Sequence, residues 1–158
     1  MLKKVEIIFQ NTDNEIIIIK KLFQEYADNL AVDLCFQNFQ EELDNLPGKY
    51  APPEGLILLA KQGEDYLGVV ALRKIEAGVC EMKRLYVRPQ GRGLGLGKLL
   101  SKKLLEAAKT LGYHTMKLDT LGRLTAATNL YRSLGFQEVQ PYNVNPEEDV
   151  LYFEKRLA

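Results

Sequence analysis

The sequence contains no tryptophan, one histidine and two cysteines among its 158 residues. Each shortage excludes something. Cys35 and Cys80 sit in apolar surroundings without CxxC spacing, which fits a reduced, cytoplasmic protein better than a disulfide framework, and both read as core residues. His114 has no Cys or His partner at ligand spacing, which argues against a metal centre. Neither sign of charge is in excess: Lys plus Arg and Asp plus Glu both total 21, giving a formal net charge of zero. No summed field therefore attracts nucleic acid or an anionic membrane, and binding must be local. Long hydrophobic runs are lacking too, and none approaches the roughly 20 residues of a membrane span. The segment Met1-Leu2-Lys3-Lys4-Val5 passes into the polar stretch Gln10 to Glu15, which does not read as an export signal.

What is present is a composition for folding: 46% hydrophobic and 27% charged, with no disordered tail, repeat or low-complexity tract. The chain is expected to form one domain over residues 1–158. Val5 to Phe9 predicts a strand, and Thr12-Asp13-Asn14-Glu15 has the spacing by which two side chains cap a helix start. Ile16, Ile19, Phe23, Ala27 and Leu30 then recur at helical steps, although Ile16 to Ile19 alone favours a strand. Phe36, Phe39, Gln40 and Leu43 predict a shorter helix, ending before a loop from Pro47 to Gly55. Leu56–Ala60, Tyr66–Arg73 and Val79–Val87 predict an antiparallel meander, because only short turns separate them. Beyond Pro89, Leu96, Leu99, Leu100, Leu104 and Ala107/Ala108 mark a helix. Met116–Leu118 predicts a strand, Leu124–Leu134 a helix, and Phe136–Val139 and Val150–Arg156 two final strands. The order is β-α-α-β-β-β-α-β-α-β-β, an α/β chain with a mixed sheet.

Between the third meander strand and the next helix lie glycines at 91, 93, 95 and 97, with Arg92 among them. Glycines let backbone N–H groups approach a phosphate, the helix start contributes partial positive charge, and Arg92 contributes a full one. No register gives G-x-G-x-x-G. The P-loop pattern fails as well, with Arg92 at its first glycine and Leu99 at its Ser/Thr position. A phosphate-bearing ligand other than a dinucleotide or nucleoside triphosphate is expected.

Arg92-Gly93-Leu94-Gly95-Leu96-Gly97 resembles the acetyl-CoA signature of the GNAT superfamily of N-acyltransferases, an Arg or Gln followed by x-x-G-x-G/A. Gln90 to Gly95 fits the same pattern, but the spacing from Val87 and Pro89 favours Arg92. Leu130-Tyr131-Arg132-Ser133-Leu134-Gly135-Phe136 looks like the family's LYxxLGF segment. The resemblance covers residues 55 to 140, and the first two helices only by element order. It implies the GNAT fold, with a splayed pair of central parallel strands, and acetyl-CoA as acyl donor without a metal. Backbone at Arg92, Gly93, Leu94, Gly95, Leu96 and Gly97, beside Lys98, would hold the pyrophosphate, and backbone at Leu85, Tyr86 and Val87 the pantetheine arm.

The same resemblance implies Tyr131 as the acid for the departing thiolate and Glu81 as general base, with Asp119 or water as the alternatives. Many members carry an asparagine where this sequence has Leu124; Asn129 and Thr125 on the same helix are the substitutes for that cofactor contact, with Asn129 set about 200° from Tyr131 by helical geometry. The acceptor would be a primary amine of a small molecule or peptide. Its pocket would lie among Glu41, Glu42, Tyr50 and the loop from Tyr142 to Pro146, where carboxylates would favour a cationic amine. The partners implied are that amine alone, with neither nucleic acid nor membrane, and the protein would be a monomer or homodimer. A module of the same fold that binds acyl-CoA without transferring the acyl group is the alternative.

Overall fold

Thr12 opens the first helix by a reciprocal exchange. In the computed structural model, which describes residues 3–30, 34 and 38–157, its Oγ1 accepts from the Glu15 N–H at 3.2 Å. The Glu15 carboxylate in turn accepts from the N–H groups of Thr12 and Asn11 at 3.2 and 2.8 Å. Helix α1 runs Asp13–Leu30 and buries Ile19, Leu22 and Phe23. The isoleucine run is helical because burial of one stripe outweighs the modest strand preference of branched side chains. Before it, β1 spans Val5–Phe9. Helix α2 spans Phe39–Asp44; the expected helical position Phe36 and the expected core residue Cys35 lie outside the described residues. The loop that follows holds one short turn of 3₁₀ helix, Gly48–Tyr50, which seats the Tyr50 ring fully inside the protein.

The remaining elements are β2 (Leu56–Gln62), β3 (Asp65–Glu76), β4 (Val79–Val87), α3 (Leu96–Thr110), β5 (Thr115–Leu121), α4 (Thr125–Ser133), β6 (Gln137–Val139) and β7 (Val150–Arg156). They form one seven-stranded sheet ordered β1-β2-β3-β4-β5-β7-β6. Every pairing is antiparallel except β4 with β5. Residues Leu56–Ala60 are buried without alternation, because both faces of the sheet are covered. One core gathers Leu58, Val70, Leu100, Leu104 and Phe153 beneath α3 and α4; the other gathers Ile19, Phe23, Phe39, Tyr50, Leu59 and Val69 beneath α1 and α2. Strand β5 is longer than the expected Met116–Leu118 because it pairs with β7 out to Leu121 and Val150. Cys80 is buried, and desolvation pushes its thiol up to about 12, so it remains a packing residue. His114 hydrogen-bonds the Thr115 hydroxyl at 2.8 Å, and no metal-binding cluster occurs among the described residues. No helix among them is long and apolar enough to cross a membrane.

Candidate active site

Strands β4 and β5 share three pairs only, Val79 with Thr115, Cys80 with Met116 and Glu81 with Lys117. Beyond them the strands part, β4 continuing along β3 and β5 along β7. A bulge in β4 goes with the parting. Val69 and Ala71 on β3 face Tyr86 and Lys83 on β4, so β4 carries one extra residue there. Arg84 takes a φ of 61°, a left-handed conformation that costs a non-glycine residue roughly 1–2 kcal/mol. Its side chain holds it there. The guanidinium donates to both carboxylate oxygens of Glu42, at 2.9 and 3.0 Å, and lies 5.9 Å from the Tyr26 ring and 5.1 Å from the Phe39 ring. The bulge is thus bolted to α2. The resulting cleft of about 90 Å³ is lined by Tyr26, Lys83, Leu85, Asp119, Leu124 and Tyr131, among others.

The glycine loop opens beside this cleft, and its glycines answer different demands. Gly91 is buried, and a Cβ there would lie 3.1 Å from both Leu67 and Leu96. Gly93 and Gly95 take φ of 83° and 70°, and a Cβ on either would meet nothing within 4 Å. They serve the backbone conformation and leave open space above it. Gly95 is the N-cap of α3 and offers no side-chain cap. The first helical hydrogen bond, from the Leu99 N–H to the Gly95 carbonyl, leaves the N–H groups of Leu96, Gly97 and Lys98 without helical partners. Exposed Arg92 and Lys98 flank them. Orphan donors, open space and positive charge suit phosphate groups.

Leu85 and Val87 pack against the α3-side core, whereas Tyr86 turns to α1, donating to Glu25 at 3.1 Å and accepting from Asn29 at 3.3 Å. The edge of β4 that faces away from β3 has no strand beside it after Glu81.

Tyr131, on α4, stands on the cleft wall with its ring wedged against Phe136 and Phe153, at centroid distances of 6.0 and 6.2 Å. No hydrogen bond among the described residues claims its hydroxyl, and burial pushes its pKa well up. The phenol is therefore a neutral donor at physiological pH. Asn129 lies on the exposed side of the same helix and away from the cleft, where Leu124, Ala127 and Tyr131 stand. A 3.6-residue turn puts positions 129 and 131 on opposite sides of the helix.

Glu81 is 1% exposed. One carboxylate oxygen accepts from Arg73 at 2.8 Å and the other from the Tyr142 hydroxyl at 2.6 Å. Burial alone would raise its pKa, but the charge of Lys83, the Tyr142 hydroxyl and Arg73 outweigh it and hold the carboxyl below the usual range. Asp119 differs. It lines the cleft, is only partly buried, and accepts one hydrogen bond from the Asn143 amide at 3.0 Å.

Of the residues expected around the acceptor, Glu41 and Glu42 line a pocket with Asn38, Pro47 and Lys49, and Tyr50 does not. Glu41 is exposed, Tyr50 is wholly inside the core, and Glu42 is consumed by Arg84 and by Lys49 at 3.2 Å. Arg73 pairs with Glu81 as a strand neighbour can, whereas the role of Arg84 escaped the sequence reading. The signal was the basic pair Lys83-Arg84 inside a largely apolar strand, but the bulge that directs it is invisible without the register.

Residues 19–136 match the Acetyltransferase (GNAT) family. An uncharacterized N-acetyltransferase of Schizosaccharomyces pombe is 45% identical over 141 residues, covering 88% of this chain and 86% of that protein. Another, of Dictyostelium discoideum, is 33% identical over 201 residues, covering 88% of this chain and 93% of that one. Among solved structures, an acetyltransferase of the GNAT family from Staphylococcus aureus superposes with a TM-score of 0.81 at 20% identity, over 98% of this chain and 100% of that one. The structure of yncA from Salmonella typhimurium, with its cofactor acetyl-CoA, superposes with a TM-score of 0.71 at 20% identity, over 98% and 94%. With the splayed parallel pair and the glycine-capped helix, these likenesses make the chain a member of the GNAT family and an N-acetyltransferase.

Proposed function

We propose that this enzyme moves an acetyl group from acetyl-CoA directly to an amine, with the pyrophosphate on the N–H groups from Arg92 to Lys98 and the thioester end in the cleft between β4 and β5. One observation carries the reading: the uncapped start of α3 and a cleft lined by both Tyr131 and Asp119 adjoin on one sheet. Bound there, acetyl-CoA supplies the activated acyl carbon, and no covalent enzyme intermediate is needed. Extended backbone at Leu85 to Val87 offers a free strand edge to the amides of the pantetheine arm. The amine forms its bond to the acyl carbon as the carbon–sulfur bond breaks; the sulfur leaves with the Tyr131 proton, and a carboxylate takes the proton shed by the amine.

Between the two carboxylates, Asp119 is the one that faces the reacting groups. Glu81 already has a strong donor on each oxygen, so we assign it to anchoring Arg73 and the Tyr142 loop. The test begins with calorimetric binding of acetyl-CoA against ATP and NAD, followed by thiol release with a panel of amines. Acetyl-CoA alone is expected to bind. Tyr131→Phe and Asp119→Asn should each lower turnover by about 100-fold while leaving acetyl-CoA affinity near its wild-type value. Wild-type turnover in Tyr131→Phe would give the acid's role to water. If Glu81→Gln abolishes the pH dependence of turnover while Asp119→Asn leaves it intact, the assignments of base and anchor are reversed.

A further inference from the structure

Tyr142 and Asn143, consecutive in the loop between β6 and β7, each donate to a carboxylate on a different central strand. The Tyr142 hydroxyl donates to Glu81 on β4 at 2.6 Å, and the Asn143 amide donates to Asp119 on β5 at 3.0 Å. The two contacts straddle the point where the strands part, because Glu81 is the last β4 residue paired with β5 and Asp119 lies two residues beyond its partner Lys117. Leu118 and Phe153 face the core beneath α3, so Lys117, Asp119 and Tyr152 point to the opposite face of the sheet, where this loop crosses.

The loop is fixed to that face by its own contacts. The Tyr142 ring meets the Tyr152 ring edge-on at 5.3 Å and has the Lys117 ammonium 5.3 Å from its centroid, while the Tyr152 hydroxyl donates to the Asn143 carbonyl at 3.2 Å. Asn143 is thus held at its backbone by β7 and at its side chain by β5. Its amide reaches one oxygen of Asp119, Oδ2, and no hydrogen bond among the described residues claims Oδ1. Around that carboxyl stand Lys83 from β4, Tyr26 from α1, Tyr131 from α4, Tyr142 from the loop and Tyr152 from β7, each of which feels its charge. Lys117, two residues before it, pairs with Glu154 at 3.8 Å, and Arg84 in the same cleft pairs with Glu42. A carboxylate held at one oxygen and open at the other has a fixed direction, which is what proton abstraction needs.

We propose that Asn143 is a positioning residue for the general base: its amide holds Oδ2 of Asp119 and leaves Oδ1 to take the proton shed by the acceptor amine. This rests on the acetyl-transfer reading above, in which Asp119 is that base. Asn143 itself touches neither the amine nor the thioester; it acts through Asp119.

The experiment follows thiol release from acetyl-CoA with the best amine of the panel, as kcat and KM against pH. Withdrawing a donor from a carboxylate favours its protonated form, and a second carboxylate beside it favours that form more strongly. Asn143→Leu is expected to lower kcat/KM about tenfold and to move the acid limb of the profile up by about half a pH unit, whereas Asn143→Asp should move it up by more than about one unit. Asn143→Gln should restore part of the rate lost in Asn143→Leu. The amine's own titration is common to every variant and cancels in the comparison. In an Asp119→Asn background, Asn143→Leu should cost nothing further, and acetyl-CoA affinity should stay near its wild-type value throughout. NMR titration of isotope-labelled aspartate carboxyls, with Asp119 assigned by its absence from Asp119→Asn, reads the same displacement without turnover. A carboxyl titration and an acid limb unmoved in both Asn143→Leu and Asn143→Asp would overturn the proposal, as would an equal loss from Asn143→Leu with and without Asp119. If Asp119→Asn lowers turnover while the Asn143 variants keep the wild-type profile, this proposal alone falls. If Asp119→Asn leaves turnover and its pH dependence intact, the assignment of the base falls, and this proposal with it.

Discussion

Gly95 shows how one residue joins local conformation to ligand binding. Its φ of 70° costs any side chain roughly 1–2 kcal/mol, yet a Cβ there would touch nothing in the protein. Gly95→Val is therefore expected to leave a folded chain of slightly lower Tm, while the isopropyl group fills the space above the orphan N–H groups of α3. Calorimetry should show acetyl-CoA affinity reduced by at least about tenfold, with the circular dichroism spectrum retained. Unchanged affinity would remove this loop from the binding site. At this scale the sequence was informative about the loop and less so about the carboxylates. Alternating glycines beside Arg92 are rare enough to read, and the LYxxLGF segment delivered Tyr131 to the cleft wall. Glu81 and Asp119 look alike in a strand pattern, and only their partners, Arg73 and Tyr142 for one and Asn143 for the other, separate them.

Strand β4 carries the decisive distortion, and helix α2 stabilises it through Arg84. The side chains of Arg84 and Glu42 are 2% and 5% exposed, so removing Arg84 leaves the Glu42 carboxylate buried with the Lys49 ammonium at 3.2 Å as its remaining ion-pair partner. Arg84→Ala is expected to cost about 3–5 kcal/mol, a fall in Tm on the order of 10 °C for a chain of this size. Pairing Arg84→Met with Glu42→Leu should recover much of that loss, because the buried carboxylate goes together with its bidentate partner. Denaturant titration of the two variants checks this; equal loss in both would mean that the ring contacts with Tyr26 and Phe39, not the charges, hold the bulge. Element order and the capping of α1 by Thr12 and Glu15 were legible, since hydrophobic period and capping chemistry act within a few residues. The bulge was not legible, because arginine is no signal for a positive φ.

Across the whole molecule, Glu25, Glu42 and Glu81 tie separate elements together, and all three carboxyls are held below their ordinary values. For Glu42 and Glu81 burial works the other way, but Arg84 and Lys49 outweigh it at one, and Lys83, Tyr142 and Arg73 at the other. For Glu25 the hydrogen bonds from Arg88 dominate. Depressed carboxyls stabilise the folded state above the unfolded pKa of about 4.3, and that contribution disappears as pH falls through the folded values. Stability measured by denaturant titration should therefore be nearly flat from about pH 7 to pH 5 and drop steeply below about pH 4. The Arg84→Met/Glu42→Leu variant should show a shallower drop. A stability that rises on acidification would contradict the carboxylate network.

The sequence by itself determined the element order, the glycine-capped start of α3 and the helix that carries Tyr131, because periodicity, capping and glycine conformation depend on neighbours close in the chain. The tertiary structure decided which charges meet. Glu42 is taken by Arg84, and Glu81 is closed off by Arg73 and Tyr142, because strand register and the β4 bulge bring together groups far apart in the chain. Those pairings consume Glu42 and Glu81 and leave Asp119 lining the cleft between β4 and β5.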